Sequence, residues 1–244
     1  VTATPDDKLA ALKARMADWL RVLVDPDQVV ELRALGVADP AGGPPATWAG
    51  TFRGAEPDAL VTAALGLTAK GVYLTLNPLR PGRLVPQLPR VRRAGSGDLA
   101  ADADVTARRW VLVDVDPVRP PAHRNDSATE GEKAAAWEVL GRARGFLAAD
   151  GWPAPVVADS GNGYHLLYRL AEDVPVAAVP VPADDPVRRL LRHLAAKFDT
   201  AHAAIDTSVF NPGRIVKLPG TKARKGPGTP DRPHRRASLL EVPS

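Results

Sequence analysis

Leu9, Leu12, Met16, Trp19, Leu20 and Leu23 recur at the spacing of one helix face. Thr4-Pro5 places an N-cap and a first-turn proline just before them, so a helix opens there. A second helix is expected over 26–35. The stretch "ADPAGGPPATWAG" (38–50) reads as loop from its glycines and prolines. A helix near 56–66 precedes "GVYLTL" (71–76), which alternates as a strand does. "NPLRPGRLVPQLPRVRRAGSGD" (77–98) reads as a long connection, a kind of segment that often carries function.

Downstream, Val111, Leu112, Val113 and Val115 mark a strand over 110–116. Thr129 and Glu132 form a T-x-x-E capping box that opens a helix running to 149. "PVVADS" (155–160) and "GYHLLYRL" (163–170) read as two strands, and the proline-rich 173–186 as a loop. Val187, Leu190, Leu191, Leu194 and Phe198 give the clearest amphipathic helix in the chain. Its Arg188, Arg189, Arg192 and Lys197 fall on the opposite, solvated face. Short strands are expected at 205–209, 214–218 and 236–241. Strand, helix, two strands, helix, strand over 110–218 predicts an α/β or α+β plan around one sheet.

At 244 residues and 45% hydrophobic, the chain can bury a real core. It contains no cysteine, so disulfides and thiolate metal sites are excluded. No apolar run approaches ~18 residues, so no membrane span is expected. No signal peptide is visible, which makes a bacterial or phage cytoplasmic protein the default expectation. The chain opens on "VTATPDDK" and closes on "LLEVPS", and reads as a domain excised from a longer protein. The net charge is only +4 but is unevenly spread. Arg214 to Arg236 holds eight Lys or Arg and one acid, Asp231; Arg80 to Arg93 holds five Arg and no acid. Two basic tracts on an otherwise acidic body point to polyanion contact, although two solvated loops would look the same.

Into the apolar strand "RRWVLVDVDPVRP" the chain places Asp114 and Asp116. Residues two apart on a strand share a face, so these carboxylates stand about 6–7 Å apart on one side. They repel, and a divalent cation between them removes the penalty. Oxygen-only ligands favour Mg²⁺ or Mn²⁺ over zinc. A strand end that simply meets solvent is the other reading. In "ADSGNGYHLLYRL" (158–170), Asn162-Gly163 is a strong hairpin signal. A two-residue turn there puts Ser160 directly across from His165, beside turn N–H groups that suit phosphate oxygens. A surface hairpin and a serine nucleophile are the alternatives. Asp206 supplies a third carboxylate, or only a turn. Arg214, Lys217 and Lys222, with Arg224 and Lys225, suit a triphosphate or a nucleic-acid backbone. "GNG" is half of a dinucleotide fingerprint and precedes a strand, not a helix, which argues against a dinucleotide-binding enzyme.

D-x-D ending a strand, S-x-x-x-x-H in a hairpin and a lone Asp before a basic stretch together resemble the archaeo-eukaryotic primase superfamily. The nearest likeness is to the primase-polymerase branch of plasmid, phage and CRISPR-associated replication proteins. "GVYLTLNPL", "WVLVDVDPVRP", "SATEGEKAA", "DSGNGYHLLYRL" and "DTSVFNPGRIVKLPGTKARKG" carry it, over about 71–236. The resemblance implies one catalytic domain over 1–244: an N-terminal helical and α/β module (1–105) and an RRM-like catalytic sheet (106–244). It implies DNA primase and polymerase activity on a single-stranded DNA template and primer with dNTPs or NTPs. Asp114, Asp116 and Asp206 would hold two Mg²⁺ or Mn²⁺ ions, and Ser160 and His165, with the turn residues Asn162 and Gly163, the triphosphate. Arg214, Lys217 and Lys222 match the basic motif less tightly. No zinc insertion is expected. A helicase or other replication domain is expected in the full-length protein, and a monomer for this chain. The rival readings are a catalytically silent replication-initiator module that binds nucleic acid, and a metal-dependent nuclease.

Overall fold

The computed structural model describes residues 4–39, 42–85, 90–176 and 184–243. The N-terminal helix is α1 (Pro5–Leu23), opened by a reciprocal capping box: Asp7 N donates to Thr4 Oγ1, and Thr4 N to the Asp7 carboxylate. Met16, Ala17, Leu20 and Leu23 form its buried face.

The segment after it corrects the sequence reading. It is a strand, β1 (Val29–Val37), not a helix over 26–35. β1 runs through the middle of a sheet and is buried at four successive positions, 29–32. A strand covered on both faces loses its alternation, and a short apolar run then looks the same as a buried helix. The β-branched Val29 and Val30 suit the extended chain. The loop expected over 38–50 also ends early, because β2 (Ala46–Arg53) pairs with β1 through Trp48 and Ala49.

The next elements are α2 (Pro57–Leu65) and β3 (Gly71–Thr75), where they were expected. Of the connection 77–98, residues 86–89 lie outside the described residues; its last part forms β4 (Arg92–Arg93) on the edge of β2. Then come β5 (Ala107–Pro117), α3 (Glu130–Ala149), β6 (Val156–Asp159) and β7 (Tyr164–Pro175). β7 runs into the segment read as a proline-rich loop, of which 177–183 lie outside the described residues. α4 (Pro186–Phe198) matches its prediction. The chain closes with β8 (Ala203–Ile205), β9 (Ile215–Lys217), β10 (Lys222–Ala223), β11 (Arg235–Arg236) and β12 (Ser238–Glu241).

The architecture is α+β: four α-helices among the described residues, and sheets whose strand pairs are all antiparallel. Among the described residues there are two five-stranded sheets, with orders β4-β2-β1-β3-β9 and β12-β6-β7-β5-β8, plus the β10-β11 ribbon; the one-sheet plan expected over 110–218 holds for β5 to β8 and not for β9. Within the second sheet, β5-α3-β6-β7-α4-β8 follows the split β-α-β pattern. β9, expected in the second module, crosses to the first sheet and pairs with β3. A single hydrophobic cluster joins both halves, from Met16, Leu32 and Leu74 to Val113, Leu166 and Leu191. No helix among the described residues is long and apolar enough to cross a membrane.

Asn77 ties the sheets together at the end of β3. Its Oδ1 accepts from Arg109 N (2.8 Å) and Trp110 N (3.0 Å) of β5, and its Nδ2 donates to Pro212 O (2.9 Å) ahead of β9. The residue is 3% exposed, so water cannot replace it. Asn77→Ala strands three buried backbone groups and is expected to cost about 2–4 kcal/mol in urea unfolding. A loss below about 1 kcal/mol would show that the tie is dispensable.

Candidate active site

β5 lies between β7 and β8, and both pairings converge on its acidic end. In the ladder with β7, Asp114 is directly opposite His165. In the ladder with β8, Val115 is opposite Ile205, and Asp206 N donates to Asp114 O at 2.8 Å. The third acid is therefore stitched to the first by a main-chain bond. It leaves a strand rather than entering one, since β8 ends at Ile205 and 206–209 turn away.

The hairpin between β6 and β7 aims at the same place, in a register the sequence did not predict. Ala158, not Ser160, faces His165, and the turn has four residues, Ser160 to Gly163. A two-residue type I′ turn needs φ above zero at both central positions. Here only Gly161 has it, at +92°. Asn162 is held instead by tertiary contact: its Oδ1 accepts from Ala128 N ahead of α3 (2.9 Å).

The turn amides are not free for phosphate, as had been expected. Gly161 N donates to Asp159 Oδ1 (2.6 Å), Asn162 N (3.4 Å) and Gly163 N (3.0 Å) to Ser160 Oγ, and Ser160 N to Gly163 O (3.0 Å). Lys133, buried on α3, fixes Asp159 at 2.6 Å and lies over the Tyr164 ring. A Cβ on Gly163 would meet the Val115 carbonyl and sit 2.6 Å from Asp116 Oδ1, so the turn presses directly on the D-x-D segment.

A cavity of about 100 Å³ opens between the sheets at this point. Asp114, Asp116 and His165 line it from the second sheet, with Ser160 and Asn162 from the turn. Tyr73 and Lys217 line it from the first sheet, and Lys70 and Lys225 from the segments beside it. Lys70 was missed, because a single lysine before a strand gives no sequence signal. The Lys222 side chain is exposed and lines no part of the cavity; only its carbonyl takes part, accepting from Lys217 Nζ (2.9 Å). Arg214 donates to Ser208 O near Asp206 and does not line the cavity, though its charge is felt at Asp114. Asn211 bonds to Asp102 (2.7 Å) in a separate groove.

Burial, then the charges of Asp116 and Asp206, push the Asp114 carboxyl well above its ordinary range; Lys225 and Arg214 pull the other way. His165 offers no counter-charge. Burial drives it down to about 4, so it is neutral at pH 7, with Nε2 3.5 Å from Asp114 Oδ1 and Nδ1 without a partner. The Asp114 and Asp116 carboxylates accept no hydrogen bond from the described protein. An uncompensated, oxygen-only acid pair fits a divalent cation by its chemistry. It is not a closed cage: among the described residues no three His, Cys, Asp or Glu side chains are gathered as an ion-holding group, and Asp206 Oδ1 is engaged by Ser208 N (2.7 Å).

Comparison of the chain with protein-family models, with curated proteins and with solved structures gives no match.

Lys217 is 5% exposed. Burial, with help from Arg224 and Lys225, lowers its amine to about 7. Between that value and the ordinary 10.5, the unfolded chain holds more of this proton than the fold, so this group makes stability rise with pH. The penalty is full below pH 7 and fades towards 10.5. The Tm of Lys217→Met minus that of the wild type is therefore expected to be most favourable at pH 6 and to decline steadily towards pH 10. A difference independent of pH would mean that the amine is not held down.

Proposed function

We propose that this chain is a template-directed nucleotidyltransferase, a DNA primase-polymerase of the archaeo-eukaryotic primase type, working on a single-stranded DNA template and primer with dNTPs or NTPs. The observation that carries the reading is the register around β5, which sets Asp114 opposite His165 and bonds the main chain of Asp206 to that of Asp114, although the three are far apart in the chain. The β5-α3-β6-β7-α4-β8 sheet supports an RRM-like catalytic module, and the first sheet an N-terminal module that closes the cavity from the other side.

Asp114 and Asp116, with Asp206 beside them, would hold Mg²⁺ or Mn²⁺. Such ions lower the pKa of an attacking hydroxyl and stabilise the charge of a departing pyrophosphate. The protein groups divide the remaining work. Lys70 and Lys225 supply positive charge on the far wall, and Lys217, its amine lowered to about 7, is set to take up a proton where a triphosphate brings several negative charges. Ser160 Oγ accepts from two turn amides, which leaves its O–H to donate outward to a phosphate oxygen. Neutral His165 can present one N–H without adding a charge beside the acids. The rigid turn replaces a loop that would otherwise have to order on binding.

The decisive measurement is primer extension on a single-stranded template with labelled nucleotides and Mn²⁺ or Mg²⁺, repeated without primer. Product growth is expected. Asp114→Asn with Asp116→Asn should lower it more than roughly 100-fold, beyond the cost of losing a supporting contact around a metal. Degradation that needs no nucleotide would replace the proposal with a nuclease. Binding without product would replace it with a silent nucleic-acid-binding module.

A further inference from the structure

α4 carries Arg188, Arg189, Arg192, His193 and Lys197 and not one acidic residue. Helix physics disfavours this pattern. Arg189 stands three residues from Arg192, and Arg188 four, where like charges repel. Arg188 and Arg189 occupy the first turn, where the helix dipole opposes cations. The other α-helices obey the rule: α1 has Asp6 and Asp7 in its first turn, α2 Asp58, and α3 Glu130 and Glu132. None of the flanking acids, Asp184, Asp185 and Asp199, forms an ion pair with an arginine of α4. Asp185 caps the helix through Val187 N and Arg188 N and is ion-paired to Arg108 at 2.9 Å, while Asp199 accepts from Ile205 N.

The side chains of Arg189 and Arg192 are exposed and make no hydrogen bond or ion pair with the described protein. The two basic tracts conspicuous in the sequence behave differently. Arg232 and Arg235 are paired with Glu132 and Glu130, Arg90 with Glu56, and Arg224 and Arg80 with the carbonyls of Ala69 and Ala103. Much of their charge is engaged inside the fold. α4 also lies away from the cavity. α3 sits on the Val115–Tyr164 side of the second sheet, with Trp137 edge-on to Tyr164, and Phe146 of α3 packs on Phe198 of α4. Asp114 and His165 face the other side.

We propose that the exposed basic face of α4 docks the phosphate backbone of duplex DNA, independently of sequence and on the side of the molecule opposite the acids. From Arg189 to Lys197 the helix rises about 12 Å, and a duplex strand offers on the order of three to four phosphates over that length. Leu191, Leu194 and Phe198 are buried, so the face offers no aromatic platform for unstacked bases and no large apolar wedge for a bilayer. The missing counter-charge is what a polyanion brings. The surface does not require the acids to be catalytic, so it can fail or hold independently of the proposed reaction.

The test is fluorescence anisotropy with a labelled 20-base-pair duplex of mixed sequence, in EDTA and without nucleotide, across about 50–200 mM salt. Arg189→Gln with Arg192→Gln is expected to weaken binding roughly tenfold and to flatten the slope of log K against log salt by about two. Arg189→Lys with Arg192→Lys should stay within about twofold of the wild type, as should Asp114→Asn with Asp116→Asn. All variants are to be compared at matched Tm, and primer extension by the Gln pair at saturating template should run at the wild-type rate. Unchanged duplex affinity in the Gln pair overturns the proposal. So does equal loss in the Lys pair, or a wild-type protein that binds poly-glutamate or anionic vesicles in preference to the duplex.

Discussion

The site depends on one constraint: carboxylates that repel one another are held together by main-chain hydrogen bonds. β5 is flanked by β7 and β8, so residue 114 is fixed from both sides at once. The bond from Asp206 N to Asp114 O cannot lengthen without opening the end of the β5–β8 ladder. Burial, and after it the charges of Asp116 and Asp206, raises the Asp114 carboxyl, while the main chain that carries it stays fixed by the two ladders.

The surroundings follow from that constraint. A protonated histidine opposite Asp114 would offset the charge of that carboxyl. Burial keeps His165 neutral, and its partnerless Nδ1 keeps one polar atom available. The cationic wall is placed instead on the first sheet and the segments beside it, across the cavity. The cavity between the two walls keeps these charges from collapsing into a salt bridge. β9 makes this possible by leaving the second half of the chain to pair with β3, which brings Lys217 to face Asp114 across the gap. The Asn77 tie holds the two sheets at that spacing.

Local signals in the sequence were legible where the physics is local. The capping boxes at Thr4 and Thr129, the amphipathic period of α4 and the D-x-D face depend on residues within a turn or two of one another, and each is present in the fold. What failed was non-local. β1 looked like a helix because it is covered on both faces, which periodicity cannot report. The turn register missed because the Asn162 side chain is claimed by Ala128, 34 positions away, and Ser160 Oγ gathers the amides a type I′ turn would have left open. The crossing of β9 into the first sheet was invisible because its partner, β3, lies far back in the chain. The three acids and His165 could be named from spacing; that Asp114 stands opposite His165 and is bonded through its main chain to Asp206 is a property of strand order.

The same distinction governs the charges. A run of arginines in sequence measures local density, whereas attraction of a polyanion depends on charge left uncompensated in space. The tract 214–236 is dense because it carries the clamps that fasten the β10–β11 ribbon to the start of α3: Arg232 to Glu132 and Ser127 O, and Arg235 to Glu130 and Ala128 O. Those clamps also bear on the turn, since Ala128 N holds Asn162 and a Cβ on Gly161 would sit 2.9 Å from Ala223 Cβ. Much of the most basic stretch of the chain thus works as scaffold for the acidic centre, and α4, with fewer cations but no anion beside them on the helix, presents the less compensated surface.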